Sequence, residues 1–179
     1  MSATEVSIAE RDWFEASLTD LVDHIESRHH NFLRRALPRL SDLMDELLSE
    51  CSGEPKIREC RDLVASVRLE LEAHLAKEEG AMFPLIRELD RSTTPIEFPC
   101  GSLRNPIGVM EHEHDSALCA LAELRELTDH YTPPGGASEL RRRSLSALAE
   151  LEADLLLHIR KENGILFPRS ILAESDVDQ

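Results

Sequence analysis

A histidine followed four positions later by a glutamate occurs twice in closely similar surroundings, in "HLAKEEGAMFP" from His74 to Pro84 and in "HIRKENGILFP" from His158 to Pro168. The matched His, Lys, Glu, Gly, Phe and Pro of the two copies are each 84 positions apart. A spacing of four puts His and Glu one turn apart on one face of a helix. Imidazole nitrogens and carboxylate oxygens without a thiolate are the donor set of iron or manganese, and zinc also accepts it. A lone His-x-x-x-Glu pair is most often a solvated contact. The duplication argues for a shared task, because it keeps the two polar residues along with the apolar ones.

The same register finds further donors. Subtracting 84 from His114 gives His30, and a step of 44 leads from His30 to His74 and from His114 to His158. His29 meets neither relation, so His30 is the donor of the "HH" pair. Apolar residues at three- and four-residue steps run into these positions. One stripe reads Cys60, Val64, Val67, Leu71, His74, Glu78, and another reads Leu148, Leu151, Leu155, His158, Glu162. His30 heads a stripe through Leu33, Leu37, Leu40 and Met44, and His114 lies in one between Met110 and Ala117. Burying such groups unpaired costs several kcal/mol, so something must compensate them.

Six donors exceed what one ion with an open position takes. They suit two ions, with two histidines on each and Glu78 and Glu162 bridging. Di-metal carboxylate sites in helix bundles follow that logic, although the ferritin-like version spaces Glu and His three apart. The candidate metal ligands are therefore His30, His74, Glu78, His114, His158 and Glu162. His24, His29, His112 and His130 stand outside the repeat and are assigned to the surface or to the surroundings of the site. Glu79 is expected to face solvent, Glu26 to form a peripheral salt bridge, and Cys60 to fill core space.

Four helices must bring these residues together. The first is expected from Thr19 to about Ser49 with a kink at Pro38, the second from Pro55 to Gly80, the third from about Pro106 to His130, and the fourth from Ser138 to Gly164. Gly80 and Gly164 read as helix stops, the Phe-Pro pairs at 83–84 and 167–168 as packing and helix-ending devices, and "AMFPLIRELD" as a short helical piece. The loop "RSTTPIEFPCGSLRNP" crosses the bundle. With turns near residues 53 and 135, the four histidines stand 21 to 23 residues from a turn. At about 1.5 Å per residue they share one level. The expected fold is all-α, an up-down-up-down four-helix bundle with the six donors at one end of its core. Residues 1–18 read as an N-terminal extension, 19–172 as the domain and 173–179 as an acidic tail.

Composition agrees with a helical domain and narrows the partners. Aromatic residues are 4% of the 179, and the formal charge of −15 argues against nucleic acid or an anionic membrane. No apolar run approaches the ~20 residues of a membrane span, and the start lacks the features of a signal peptide, so a cytoplasmic location is expected. Cys51, Cys60, Cys100 and Cys119 show no C-x-x-C spacing, which speaks against a disulfide framework or a zinc cluster.

"HLAKEEGAMFPLI", "NPIGVMEHEHDSA" and "HIRKENGILFPRS", with weaker support from "RHHNFLRRALPRL", resemble the hemerythrin-like (HHE cation-binding) superfamily over residues 19–172. The likeness is strongest to the di-iron domain of bacterial iron–sulfur cluster repair proteins. It implies a hemerythrin-like bundle holding two non-haem iron ions, oxo- or hydroxo-bridged, on the same six residues. It also implies a role in nitrosative and oxidative stress, by binding nitric oxide or by supplying iron to damaged iron–sulfur proteins. Alternatives are a nitric oxide or peroxide reductase, or an oxygen, redox or metal sensor. Oxygen-carrying members have a further histidine four residues after the third-helix histidine. Leu118 stands there, against a dioxygen carrier. Full-length repair proteins add a small N-terminal domain with a cysteine pair, which a chain of 179 residues is expected to lack.

Overall fold

The computed structural model describes residues 12–177. Helix α1 (Leu18–His24) opens at Ser17, whose hydroxyl accepts from the Asp20 N–H. The Asp90 carboxylate takes the N–H groups of Leu18 and Thr19 at 3.1 and 3.0 Å. The chain then runs without a break through a π-helical segment, π1 (Ile25–His30), into α2 (Asn31–Glu50). Pro38 lies inside α2 without ending it.

The second rod joins α3 (Pro55–Lys77), π2 (Glu78–Met82) and α4 (Phe83–Arg91), and the third is α5 (Arg104–Leu127). The fourth joins α6 (Glu139–Lys161), capped by the Ser138 hydroxyl, to π3 (Glu162–Leu166) and α7 (Phe167–Val177). The four rods form the up-down-up-down bundle, with α2 against α3 and α6 and α3 against α5.

Two helix stops expected from the sequence do not occur. A glycine ends a helix by taking a left-handed φ. Among the described glycines only Gly101 and Gly136 do so, whereas Gly80 and Gly164 stay in the π segments. The Phe-Pro pairs correspondingly begin helices. Pro84 sits in the first turn of α4, directly after the π turn. Residues 173–177, read as part of a tail, continue α7, and Glu174 accepts from the Ser102 hydroxyl and the Leu103 N–H, both at 3.1 Å. Within the expected N-terminal extension, Arg169 donates to the carbonyls of Trp13 and Ala16 at 2.9 and 2.6 Å. Residues 1–11 and 178–179 of the expected extension and tail lie outside the described residues.

Because α1, α4 and α7 carry the rods past the donor level, the six candidate ligands form a polar layer inside the bundle rather than its end. On one side is an apolar cluster that includes Leu33, Leu71, Leu75, Ala117 and Leu155. On the other is a cluster with Ile25, Met82, Phe83, Met110 and Leu166. No described helix is long and apolar enough to cross a membrane.

Candidate metal centre

Three of the four rods change helical pitch at the site. His30 is the last residue of π1, and Glu78 and Glu162 are the first residues of π2 and π3. Such one-turn widenings recur at functional sites. Here they let a polar donor and the following apolar residues, Met82 and Phe83 or Leu166 and Phe167, all stay buried. In π2 and π3 a single glycine, Gly80 or Gly164, stands two residues after the glutamate.

All six sequence-derived candidates meet, and all are buried. His30, Glu78, His158 and Glu162 each offer one donor atom, and these atoms lie within 4.8 Å of one another. His74, Glu78, His114 and Glu162 make a second group of the same size. Each glutamate belongs to both. Glu78 turns Oε2 toward His30 Nε2 and Oε1 toward His74 Nε2, each at 3.3 Å. Glu162 turns Oε1 toward His158 Nε2 at 2.9 Å and Oε2 toward His114 Nε2 at 3.1 Å. Each carboxylate thus spans the two histidine pairs with one oxygen apiece.

The outward nitrogens are held by groups around the donors. His30 Nδ1 is 2.7 Å from Glu79 Oε1, His74 Nδ1 2.9 Å from Glu113 Oε2, and His114 Nδ1 2.8 Å from Asn163 Oδ1. A donated Nδ1–H fixes the tautomer and leaves Nε2 as a lone-pair donor facing inward. Glu79, expected in solvent, is half-buried between His30 and Arg34. Glu113 and Asn163 were not identified from the sequence. The repeat register could have found Asn163, which stands 84 positions after Glu79.

The other histidines divide as expected. His29 is buried beside the site, with Nδ1 3.0 Å from Asp154 Oδ2, and His24 is half-buried with Nε2 3.0 Å from Lys161 Nζ. His112 and His130 are exposed. Glu26 pairs with Arg87 at 2.8 Å, and Cys60 fills the core.

Electrostatics couple the donors strongly. Burial opposes charge on His30 and His74, but the Glu78 carboxylate beside them outweighs it. Helped by Glu79 and Glu113 respectively, both imidazoles titrate above 6.5, His74 at about 9. Burial likewise opposes charge on Glu162, yet His158 and His114 hold its carboxyl well below the usual range.

These features suit a metal ion better than a closed protein network. None of the four carboxylate oxygens of Glu78 and Glu162 has a hydrogen-bond partner among the described residues, although all are buried. Buried acceptors left so are rare and costly. The Nε2 atoms also face each other within each pair, at 3.3 Å for His30 and His158 and 3.0 Å for His74 and His114. Donors about 2.1 Å from one ion and at right angles to it stand about 3 Å apart.

A four-helix bundle with such a buried histidine and carboxylate layer is a hemerythrin-like metal-binding domain, and the chain belongs to the hemerythrin HHE cation binding domain family, whose profile matches residues 20–170. It is similar to the iron-sulfur cluster repair protein YtfE of Edwardsiella ictaluri (strain 93-146), with 36% identity over 164 residues that make up 90% of this chain and 69% of that protein. Proteins of the same name from Salmonella paratyphi B and Salmonella newport are 32% identical over 167 residues, covering 92% of this chain and 71% of theirs.

Proposed function

We propose that His30, His74, Glu78, His114, His158 and Glu162 hold two iron ions, and that the centre binds nitric oxide and supplies iron for the repair of damaged iron–sulfur clusters. The observation that carries this reading is the pair of buried glutamates, each spanning two histidine pairs and left without hydrogen-bond partners. Four imidazoles and two carboxylates balance the charge of two divalent ions only in part, which favours ions that can be given up. Manganese and zinc accept the same donors. The cluster-repair names of the relatives favour iron.

The residues of the chain divide the work. Glu78 and Glu162 hold the two positions together. Glu79, Glu113 and Asn163 orient three of the four imidazoles. The apolar clusters on either side keep bulk water from the layer. Ferrous iron would supply open coordination positions for a small ligand. A cavity of about 200 Å³ between α3 and α5 reaches His74 and His114 and is lined by the apolar Val67, Leu71, Ala73 and Ala117 and by the polar Glu70, Lys77, Glu113 and Ser116. It is smaller than the roughly 300–1,000 Å³ of sites for larger organic ligands and suits a diatomic molecule or peroxide.

The test uses the iron-loaded protein under anaerobic conditions. Mixed with an apo iron–sulfur protein, it should restore the cluster of that protein and lose iron in proportion. Nitric oxide should give new visible absorption that scales with bound iron and is missing from His74→Ala. Iron that neither transfers nor changes absorption with nitric oxide would count against this function.

A further inference from the structure

The two histidine pairs are related by the 84-residue repeat, but their surroundings are not equivalent. Glu79 and Asn163 are repeat mates, and they serve the mates His30 and His114 in the same way. Glu113 serves His74, and its repeat mate, 84 positions earlier, is His29. The mate of His74 is His158, so His29 is where an acceptor for His158 belongs.

His29 cannot fill that role. Its ring lies parallel to that of His158, with centroids 5.6 Å apart and planes 3° from one another. Both of its nitrogens are engaged elsewhere, Nε2 with Lys161 Nζ at 3.0 Å and Nδ1 with Asp154 Oδ2 at 3.0 Å. An ammonium only donates, so Nε2 accepts from Lys161 and Nδ1–H donates to Asp154. His158 Nδ1 is consequently buried with no hydrogen-bond partner among the described residues. Lys161 is itself the repeat mate of Lys77, which pairs with Glu113. The exchange of an acid for a histidine at position 29 has thus redirected the lysine as well.

We infer that the two metal positions differ in strength: the ion between His30 and His158 is the more weakly held and leaves first, while the ion between His74 and His114 remains. The inference rests on the two-metal reading above. A partner on the outward nitrogen orients an imidazole and raises its basicity, and loss of such a partner typically costs ten- to a hundredfold in metal affinity. Both imidazoles of the His74 and His114 pair have this support. In the other pair only His30 does. For a centre that supplies iron, the His30 and His158 position is then the deliverable one.

The experiment loads the full chain anaerobically with ferrous iron, measures the iron bound, and follows release to an excess of a ferrous chelator. With two ions bound, release should occur in two phases of equal amplitude whose rates differ by about tenfold or more. Glu113→Gln weakens the support of His74 at a half-buried position. It should speed the slow phase severalfold and leave the fast one unchanged. His112→Ala, exposed on the same helix, should alter neither. Two ions released in a single phase, or a Glu113→Gln effect confined to the fast phase, would overturn the inference while leaving the two-metal centre intact. Fewer than two ions bound at the outset would overturn the two-metal reading and the inference with it.

Discussion

Phe83 lies against the ring of His30, with centroids 5.5 Å apart and planes 21° from parallel, and its repeat mate Phe167 lies against His114 at 6.0 Å and 6°. Both phenylalanines are fully buried. They wall the donor layer from above and hold two of its four imidazoles in place. Truncation of Phe83 to Ala should destabilise the protein by about 3–5 kcal/mol and lower its metal content, since His30 loses its wall. Thermal unfolding of the metal-free variant and metal analysis of the loaded one check the two effects separately. A variant that unfolds like the parent would show that α4 packs independently of the site.

Metal should stabilise the fold by mass action, because the unfolded chain does not hold six donors together. Free metal at a hundredfold excess over its dissociation constant adds about 2.7 kcal/mol per site. For a chain of this size that raises the melting temperature by roughly 5–11 °C. Calorimetry of metal-free and loaded protein measures the shift. Equal melting temperatures with verified loading would contradict the assignment of the buried donors.

Metal uptake should depend on pH in a definite sense. Glu78 and Glu113 raise His74 to about 9 in the metal-free fold, so it carries a proton at neutral pH, and His30 is shifted in the same direction. A metal ion must displace that proton. Affinity should therefore rise with pH through neutrality and level off near 9. Calorimetric titrations in buffers of different ionisation enthalpy count the protons released. Uptake that releases none at pH 7 would count against His74 as a ligand.

Much of this was legible in the chain because the repeat preserves residue type and spacing together. The equation of His30 with His114 and of Glu78 with Glu162 needed only one offset, and the structure brings all six together. The bundle followed from the three- and four-residue periodicity. Helix ends were misread because Gly80 and Gly164 look like stops, whereas a π turn uses them without a left-handed φ. Glu113 was missed for a different reason. Its mate is His29, so the symmetry that found the candidate ligands is broken at that position. Burial of Glu79 against His30 depends on the packing of π2 beside π1 and α2, which no local pattern encodes.

The cysteines should react according to burial. Cys60 is enclosed by the core, and burial pushes its thiol up to about 11. Cys119 is exposed. The thiolate is the reactive form, so alkylation of the folded protein at pH 8 should label Cys119 readily and Cys60 only after unfolding. Peptide mass analysis distinguishes them. Prompt labelling of Cys60 in the folded state would mean that the bundle opens far more than its packing implies.

Iron bound per chain, measured after anaerobic reconstitution and removal of excess metal, bears on the six-residue site itself. The parent should hold two iron ions, His74→Ala and His158→Ala should each lose at least one, and the exposed His112→Ala should keep both. A parent with fewer than two ions per chain, or ligand variants that retain two, would contradict it.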